Sequence, residues 1–237
     1  MVDFEKEFKR RDYSLAEGKT QLATTFRIVY GWMTVGLALS GVIAWYTASS
    51  GLCEKLLTGA GFKVCLFAEL ALVLILSFAI NRLPVVICYL MFLGYAALNG
   101  LTLSIVFLAF KLALVEKVFF ITAGMFGGLA LWGTFTKSDL TSIGSFCGMA
   151  LWGLVLAGIA NLFMESSGLD LVCSFAGILI FTGLTMYDAQ KIKQLAAAEG
   201  AMDSAALHKV GITGALQLYL DFVNLFLHIL RFLGRKK

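Results

Sequence analysis

The sequence predicts an all-α integral membrane protein, a bundle of transmembrane helices with no separate soluble domain. Three observations carry this expectation: hydrophobic residues make up 59% of the 237 residues, charged residues only 14%, and the apolar positions gather into long runs. A water-soluble domain of this length needs more charge to cover its surface. Lipid removes that need, and a helix of about 20 apolar residues crosses the hydrocarbon core. The mean hydropathy of +0.87 agrees.

Residues 1–25 read as a cytoplasmic amino-terminal segment of mixed charge, with Asp3, Glu5, Lys6, Glu7, Lys9, Arg10, Arg11 and Asp12. They hold no apolar core, so no cleavable signal peptide is expected and the first span acts as its own insertion signal. Residues 26–233 form the membrane domain. Its seven apolar runs fall near 26–48, 64–80, 85–110, 114–135, 144–164, 169–187 and 209–233. The breaks between them carry turn or charge signals: Ser49-Ser50-Gly51, Asn81-Arg82-Leu83-Pro84, Lys111 to Lys117, Lys137-Ser138-Asp139 and Glu165-Ser166-Ser167-Gly168. A longer polar stretch, Gln190 to His208, separates the last two runs, and residues 234–237 form a basic tail.

Small residues within the runs, such as Gly124-xxx-Gly128 and Gly144-xxx-Gly148, are expected to serve close packing inside one bundle. A monomer is the default. The five cysteines (Cys53, Cys65, Cys88, Cys147, Cys173) form no CxxC pair and lie mostly in apolar surroundings, where Cys acts as a small hydrophobe. No dense basic cluster suits nucleic acid. No cofactor is expected.

Lys and Arg near span ends give orientation. They place the amino terminus, Arg82, Lys137 and the Lys191/Lys193/Lys209 region in the cytoplasm. Seven full spans then put the tail with Arg231, Arg235, Lys236 and Lys237 outside, against the rule. Either the seventh run re-enters, or six well-oriented spans override the tail.

The last run carries the functional signal. At 100° per residue, Thr213, Gln217, Asp221, Asn224, His228 and Arg231 fall within an arc of about 80°. So narrow a polar stripe along an apolar helix is expected to face the bundle interior or a wet cavity. Asp221 lies deepest, and an intramembrane carboxylate there marks an ion or proton path, or is tied structurally to neighbouring helices. Asp188 closes the sixth run. If the two helices bring Asp188 and Asp221 to one depth, the carboxyl groups share a proton, because both do not ionise freely at close range. The pair is then a pH-sensitive latch and a candidate Ca²⁺ contact, since hard cations prefer carboxylate oxygens.

Glu69 inside the second run and Arg231 at the end of the stripe both fall toward the outer side. They are expected either to form an ion pair or to snorkel independently to the interface. Arg82 is level with Asp188, as a neutralising partner or a plain positive-inside anchor.

The stretch Gly214-Ala215-Leu216-Gln217-Leu218-Tyr219-Leu220-Asp221-Phe222-Val223-Asn224-Leu225-Phe226 resembles the signature of the Bax inhibitor-1 (transmembrane Bax inhibitor motif) family, bacterial branch. So does Tyr187-Asp188-Ala189-Gln190-Lys191-Ile192, where the family more often has Thr after the Asp. Thr136-Lys137-Ser138-Asp139-Leu140 is similar to the family's fourth-loop motif. The resemblance implies seven transmembrane helices with the carboxy-terminal helix central in the bundle and ringed by the other six. It also implies a pH-sensing pair, Asp188 and Asp221, that gates a Ca²⁺ leak. Glu69 and Arg231 would pair within the pore, and Arg82 would engage Asp188. A bacterial cytoplasmic membrane is the implied location.

Two other functions compete. Two acids on consecutive spans suit an intramembrane aspartyl protease, but Leu218-Tyr219-Leu220-Asp221 stands where such enzymes carry Gly-x-Gly-Asp, and the one proline is Pro84. No enzyme is therefore expected. The alternative is a regulatory protein that binds another membrane protein, for instance a membrane protease or a stress-response complex.

Overall fold

The computed structural model describes residues 4–58, 60–198 and 204–235. Among the described residues every regular element is helical: α1 (Phe4–Ser49), α2 (Leu52–Thr58), α3 (Gly61–Ala79), α4 (Val85–Ala109), α5 (Leu112–Phe135), α6 (Thr141–Met164), α7 (Ser167–Ala198) and α8 (Ser204–Gly234), with a 3₁₀ turn at Ile80–Arg82. Seven are long and apolar enough to cross a membrane, α2 being a short connector. The protein is an all-helical membrane bundle, as its composition predicts.

The breaks follow local chemistry. Gly51 turns the chain between α1 and α2 at φ 71°, a left-handed conformation that suits glycine. Pro84 lacks an N–H and holds Leu83 extended (φ −93°, ψ 144°), so the 3₁₀ turn stops there and α4 starts afresh. Glu165 ends α6 in the left-handed region (φ 47°), and the Asn161 side chain accepts from the Ser166 N–H at 3.0 Å.

Three helices clearly outrun their apolar runs, and α1 begins at Phe4, well before residue 26. α7 continues beyond residue 187 to Ala198, because the polar residues Asp188, Lys191, Lys193 and Gln194 alternate at helical spacing with the buried Ala189, Ile192 and Ala196. Asp188 is thus an interior helical residue, not a helix end. α8 likewise begins several residues before 209.

The packing is inside-out relative to a soluble bundle. α3, with mean hydropathy 2.2 in its membrane window, has 11% of that window buried; α8, the least apolar at 1.4, has 61% buried. The span of lowest hydropathy takes the middle because lipid solvates its polar side chains worst. α1, α4, α5 and α7 pack directly around α8, while α3 lies against α4 and α6 against α7. The central placement implied by the resemblance holds, with four immediate neighbours instead of six. Tyr219, Leu218, Leu225 and Leu230 of α8 are completely buried. Large apolar side chains such as Phe78, Phe163 and Trp152 face outward, where lipid is the solvent.

Candidate functional site: a carboxyl pair on the central helix

Asp188 of α7 and Asp221 of α8 meet. Their carboxyl groups lie within hydrogen-bonding reach of each other. Asp221 is buried, only 4% exposed, and its Oδ2 is enclosed with no hydrogen-bond donor among the described residues. Asp188 is half-buried, and the Lys191 ammonium one turn along α7 is the nearby cation that acts on it. A proton between the two acids is the chemistry that satisfies an enclosed carboxyl oxygen beside another carboxyl.

The fold fixes Asp188 from both sides. On α5, Gly133 faces the Met186 carbonyl so closely that a Cβ would collide with it. On α6, Gly144 lies under the Tyr187 ring, again with no room for a Cβ. Gly124, Gly128 and Gly148 have open space around them, so only Gly144 of the two spaced-glycine pairs is used for close packing. Downstream, buried Gln190 accepts from the Leu140 N–H (2.9 Å) and donates to the Ser138 carbonyl (2.7 Å). Lys193 Nζ donates to the Thr134 carbonyl at 2.7 Å. The 136–140 loop is thereby clipped to the segment that carries Asp188. Within that loop, Asp139 accepts from the Thr141 N–H and hydroxyl (2.9 and 2.6 Å), which hold its carboxyl below the usual carboxylate range.

The rest of the stripe behaves unevenly. Thr213 and Asn224 donate to the carbonyls four residues back, Lys209 and Leu220. Thr213 and Gln217 line a cavity of about 500 Å³ between α7 and α8, which also touches Ile80, Ile192 and Lys209. Gln217 is one turn from Asp221. His228 stacks on Phe181 (5.6 Å between centroids) and fits against Gly177, whose missing side chain makes the space; its Nδ1 has no hydrogen-bond partner among the described residues. Arg231 is exposed beside His228.

Two expected contacts are not formed. Glu69 does not pair with Arg231: α3 packs on α4, so Glu69 accepts from Thr102 (2.8 Å) and Asn99 (3.4 Å), while Arg231 lies exposed at the end of α8. Arg82 does not engage Asp188. It ends the 3₁₀ turn before Pro84 with its side chain exposed, and Lys191 is the cation at Asp188.

One buried polar group is not legible in the sequence pattern. Tyr219 donates to Asn99 Oδ1 at 2.9 Å and touches Ser40 Oγ at 2.6 Å. Tyr219 passes for an aromatic filler in its run, and Asn99 was the one available signal, an isolated amide in the apolar run 85–110.

The comparisons with known proteins decide the family. The family model described as inhibitor of apoptosis-promoting Bax1 matches residues 22–237. The chain belongs to the Bax inhibitor family. Inner membrane protein YbhL of Escherichia coli K12 is 43% identical over 232 residues, covering 97% of this chain and 99% of its own. An uncharacterized protein of Deinococcus radiodurans is 41% identical over 212 residues (89% and 90%), and the uncharacterized protein RP147 of Rickettsia prowazekii is 38% identical over 210 (88% of each). In this chain the three segments that carry the family resemblance converge in space: the 136–140 loop on Gln190, and Asp188 on Asp221.

Proposed function

We propose that this Bax inhibitor family protein is a pH-sensitive cation leak, chiefly for Ca²⁺, in a bacterial inner membrane, with its amino terminus cytoplasmic. The observation that carries the reading is the contact between the Asp188 and Asp221 carboxyl groups across α7 and the central α8. With one shared proton the contact is attractive and closes the two helices on each other. Without it, two carboxylates face each other in a poorly hydrated place. At an effective dielectric constant of about 20, two such charges about 4 Å apart repel by about 4 kcal/mol. Turning a 1:99 equilibrium into 99:1 takes about 5.5 kcal/mol, a similar amount, so loss of one proton suffices to open a marginally closed bundle.

The closed form holds the extra proton, so raising the pH favours the open one. A cation then takes the proton's place between the carboxylates. Ca²⁺ takes 6–8 oxygen ligands, and no group of three or more metal-ligating side chains occurs among the described residues. A passing ion keeps much of its water at such a pair, which suits transit better than storage. The cavity at Thr213 and Gln217 supplies the approach from the side bearing Lys209. The reading is of a channel, not an enzyme, and the ion is its cargo.

The test is Ca²⁺ flux into liposomes carrying the purified protein, measured against pH, with Asp188→Asn and Asp221→Asn. Flux that rises with pH in the parent and loses that dependence in both variants supports gating by the pair. Flux indifferent to both substitutions sinks it, and a specific co-purifying membrane protein without flux would favour a regulator instead.

A further inference from the structure

A second acid sits in the membrane domain, in a polar cluster separate from the carboxyl pair. Glu69 of α3, Asn99 and Thr102 of α4, Tyr219 of α8 and Ser40 of α1 form one connected chain. Asn99, Tyr219 and Ser40 are buried, at 8%, 0% and 1% exposure. Tyr219 and Asp221 are two residues apart on a helix, which points them to different faces of α8. The chain therefore stands apart from the Asp188–Asp221 contact.

Counting hydrogens assigns its protonation state. The Ser40 hydroxyl has one hydrogen and three close oxygens: the Tyr219 hydroxyl at 2.6 Å, the Ala96 carbonyl at 2.7 Å and the Gly36 carbonyl at 2.9 Å. With Glu69 ionised, the Asn99 NH₂ must point at Glu69, and Tyr219 then donates to Asn99 Oδ1. Tyr219 has no second hydrogen, so Ser40 alone serves both of its two shortest contacts, and one pair of buried oxygens is left without a hydrogen. With Glu69 neutral the amide turns over on the same positions. Glu69 then donates to the Asn99 carbonyl oxygen, the Asn99 NH₂ donates to Tyr219, Tyr219 donates to Ser40, and Ser40 donates to the Ala96 carbonyl. Thr102 still donates to the other Glu69 oxygen. The neutral acid thus supplies the hydrogen that both shortest Ser40 contacts need, and the contacts left over, Ser40 to the Gly36 carbonyl at 2.9 Å and Thr102 to the Asn99 carbonyl at 3.0 Å, are the longer alternatives of hydroxyls that already donate.

We propose that Glu69 is a proton-binding site, holding a proton that orients a one-way hydrogen-bond chain from α3 through α4 and α8 to α1. The groups facing it fit this role. Cys65 on its own helix, Tyr95 on α4 and Tyr219 on α8 are the titratable neighbours, all of them neutral donors or weak acids. Glu69 makes no ion pair with a described residue; on the adjoining elements, Glu54 and Lys55 of α2 and Arg82 of the 3₁₀ turn are exposed. Loss of the proton reverses the amide and the direction of the whole chain, so α1, α4 and α8 register the protonation of α3 without any helix moving far.

The inference does not depend on ion conduction, and its test reads protonation directly. Infrared spectra of the full-length protein in lipid, taken in the Asp188→Asn/Asp221→Asn background, should contain a protonated carboxylic C=O band that Glu69→Gln removes. Difference spectra between parent and Glu69→Gln serve the same purpose if the double variant does not fold. Absence of such a band at every pH at which the protein stays folded overturns the proposal. Thermal unfolding gives the second arm. The amide introduced by Glu69→Gln reproduces the neutral acid, with an NH₂ toward Asn99 and a carbonyl toward Thr102. Glu69→Gln should therefore keep the parental unfolding temperature while Glu69→Ala loses several degrees. Equal loss in both would mean that the carboxylate, not the acid, is the native form.

Discussion

The Tyr187 ring lies directly over Gly144, in space that any side chain at residue 144 would occupy. Since Tyr187 precedes Asp188, this contact between α6 and α7 sets where one half of the carboxyl pair stands. Gly144→Ala should therefore force Tyr187 aside and cost about 1–3 kcal/mol, the usual range for overpacking a filled site. Gly148→Ala, one turn away in open space, should be neutral. Thermal unfolding of the two variants in detergent checks the contrast, and the pH profile of Ca²⁺ flux should shift only in the first.

Asp221→Asn and Asp188→Asn are not expected to behave alike in stability. Asn at the enclosed position 221 brings an NH₂ donor toward the Asp188 carboxylate, replacing the shared proton permanently. Asn at the half-buried position 188 does the same from the wetter side, where water competes. In the proposed gating the parent binds a proton in its closed form, so that form weakens as the pH rises. Both variants should lose that slope, and Asp221→Asn should be the more thermally stable at high pH. Unfolding temperatures measured across the pH range test this order.

Gln190→Ala removes an acceptor for the Leu140 N–H and a donor to the Ser138 carbonyl. Leaving a buried backbone group unpaired costs about 1–3 kcal/mol. Faster hydrogen exchange confined to residues 136–141 is the expected signature. Exchange that stays slow would mean that the loop is held by Lys193 and Thr134 alone.

Asp139 makes a prediction of opposite pH sign. The two hydrogen bonds from Thr141 favour its ionised form, so its contribution to the start of α6 is complete above the ordinary Asp pKa and fades as the pH falls through the lowered one. Protection of the Thr141 amide should weaken on acidification in the parent. In Asp139→Asn, which keeps an acceptor but no titration, the protection should be constant.

Most of the fold was legible because lipid imposes so strong a rule: each apolar run long enough to span became a helix. The ends were less so, since α7 and α8 extend into amphipathic turns whose hydropathy falls while their helical period persists. The stripe on α8 was visible from spacing, and so was the depth of Asp221. What spacing leaves open is which neighbour each polar side chain finds. Asp188 reaches Asp221 because Gly133 and Gly144 let α7 settle closely on α5 and α6, a tertiary fact. Glu69 turns to Asn99 and not to Arg231 because α3 packs on α4. Tyr219 was invisible as a polar residue, since a phenol shows its hydroxyl only once its neighbours are placed.

The position of α8 bears on how the molecule is assembled. The helix that fills the middle is made after the four that flank it, so during synthesis those spans exist before the helix that they surround. Until the seventh arrives, Asp188 lacks its carboxyl partner and Asn99 and Ser40 lack the tyrosine that links them. The keystone is thus synthesised after the helices that it joins, and a chain stalled before it would display unpaired polar groups in lipid.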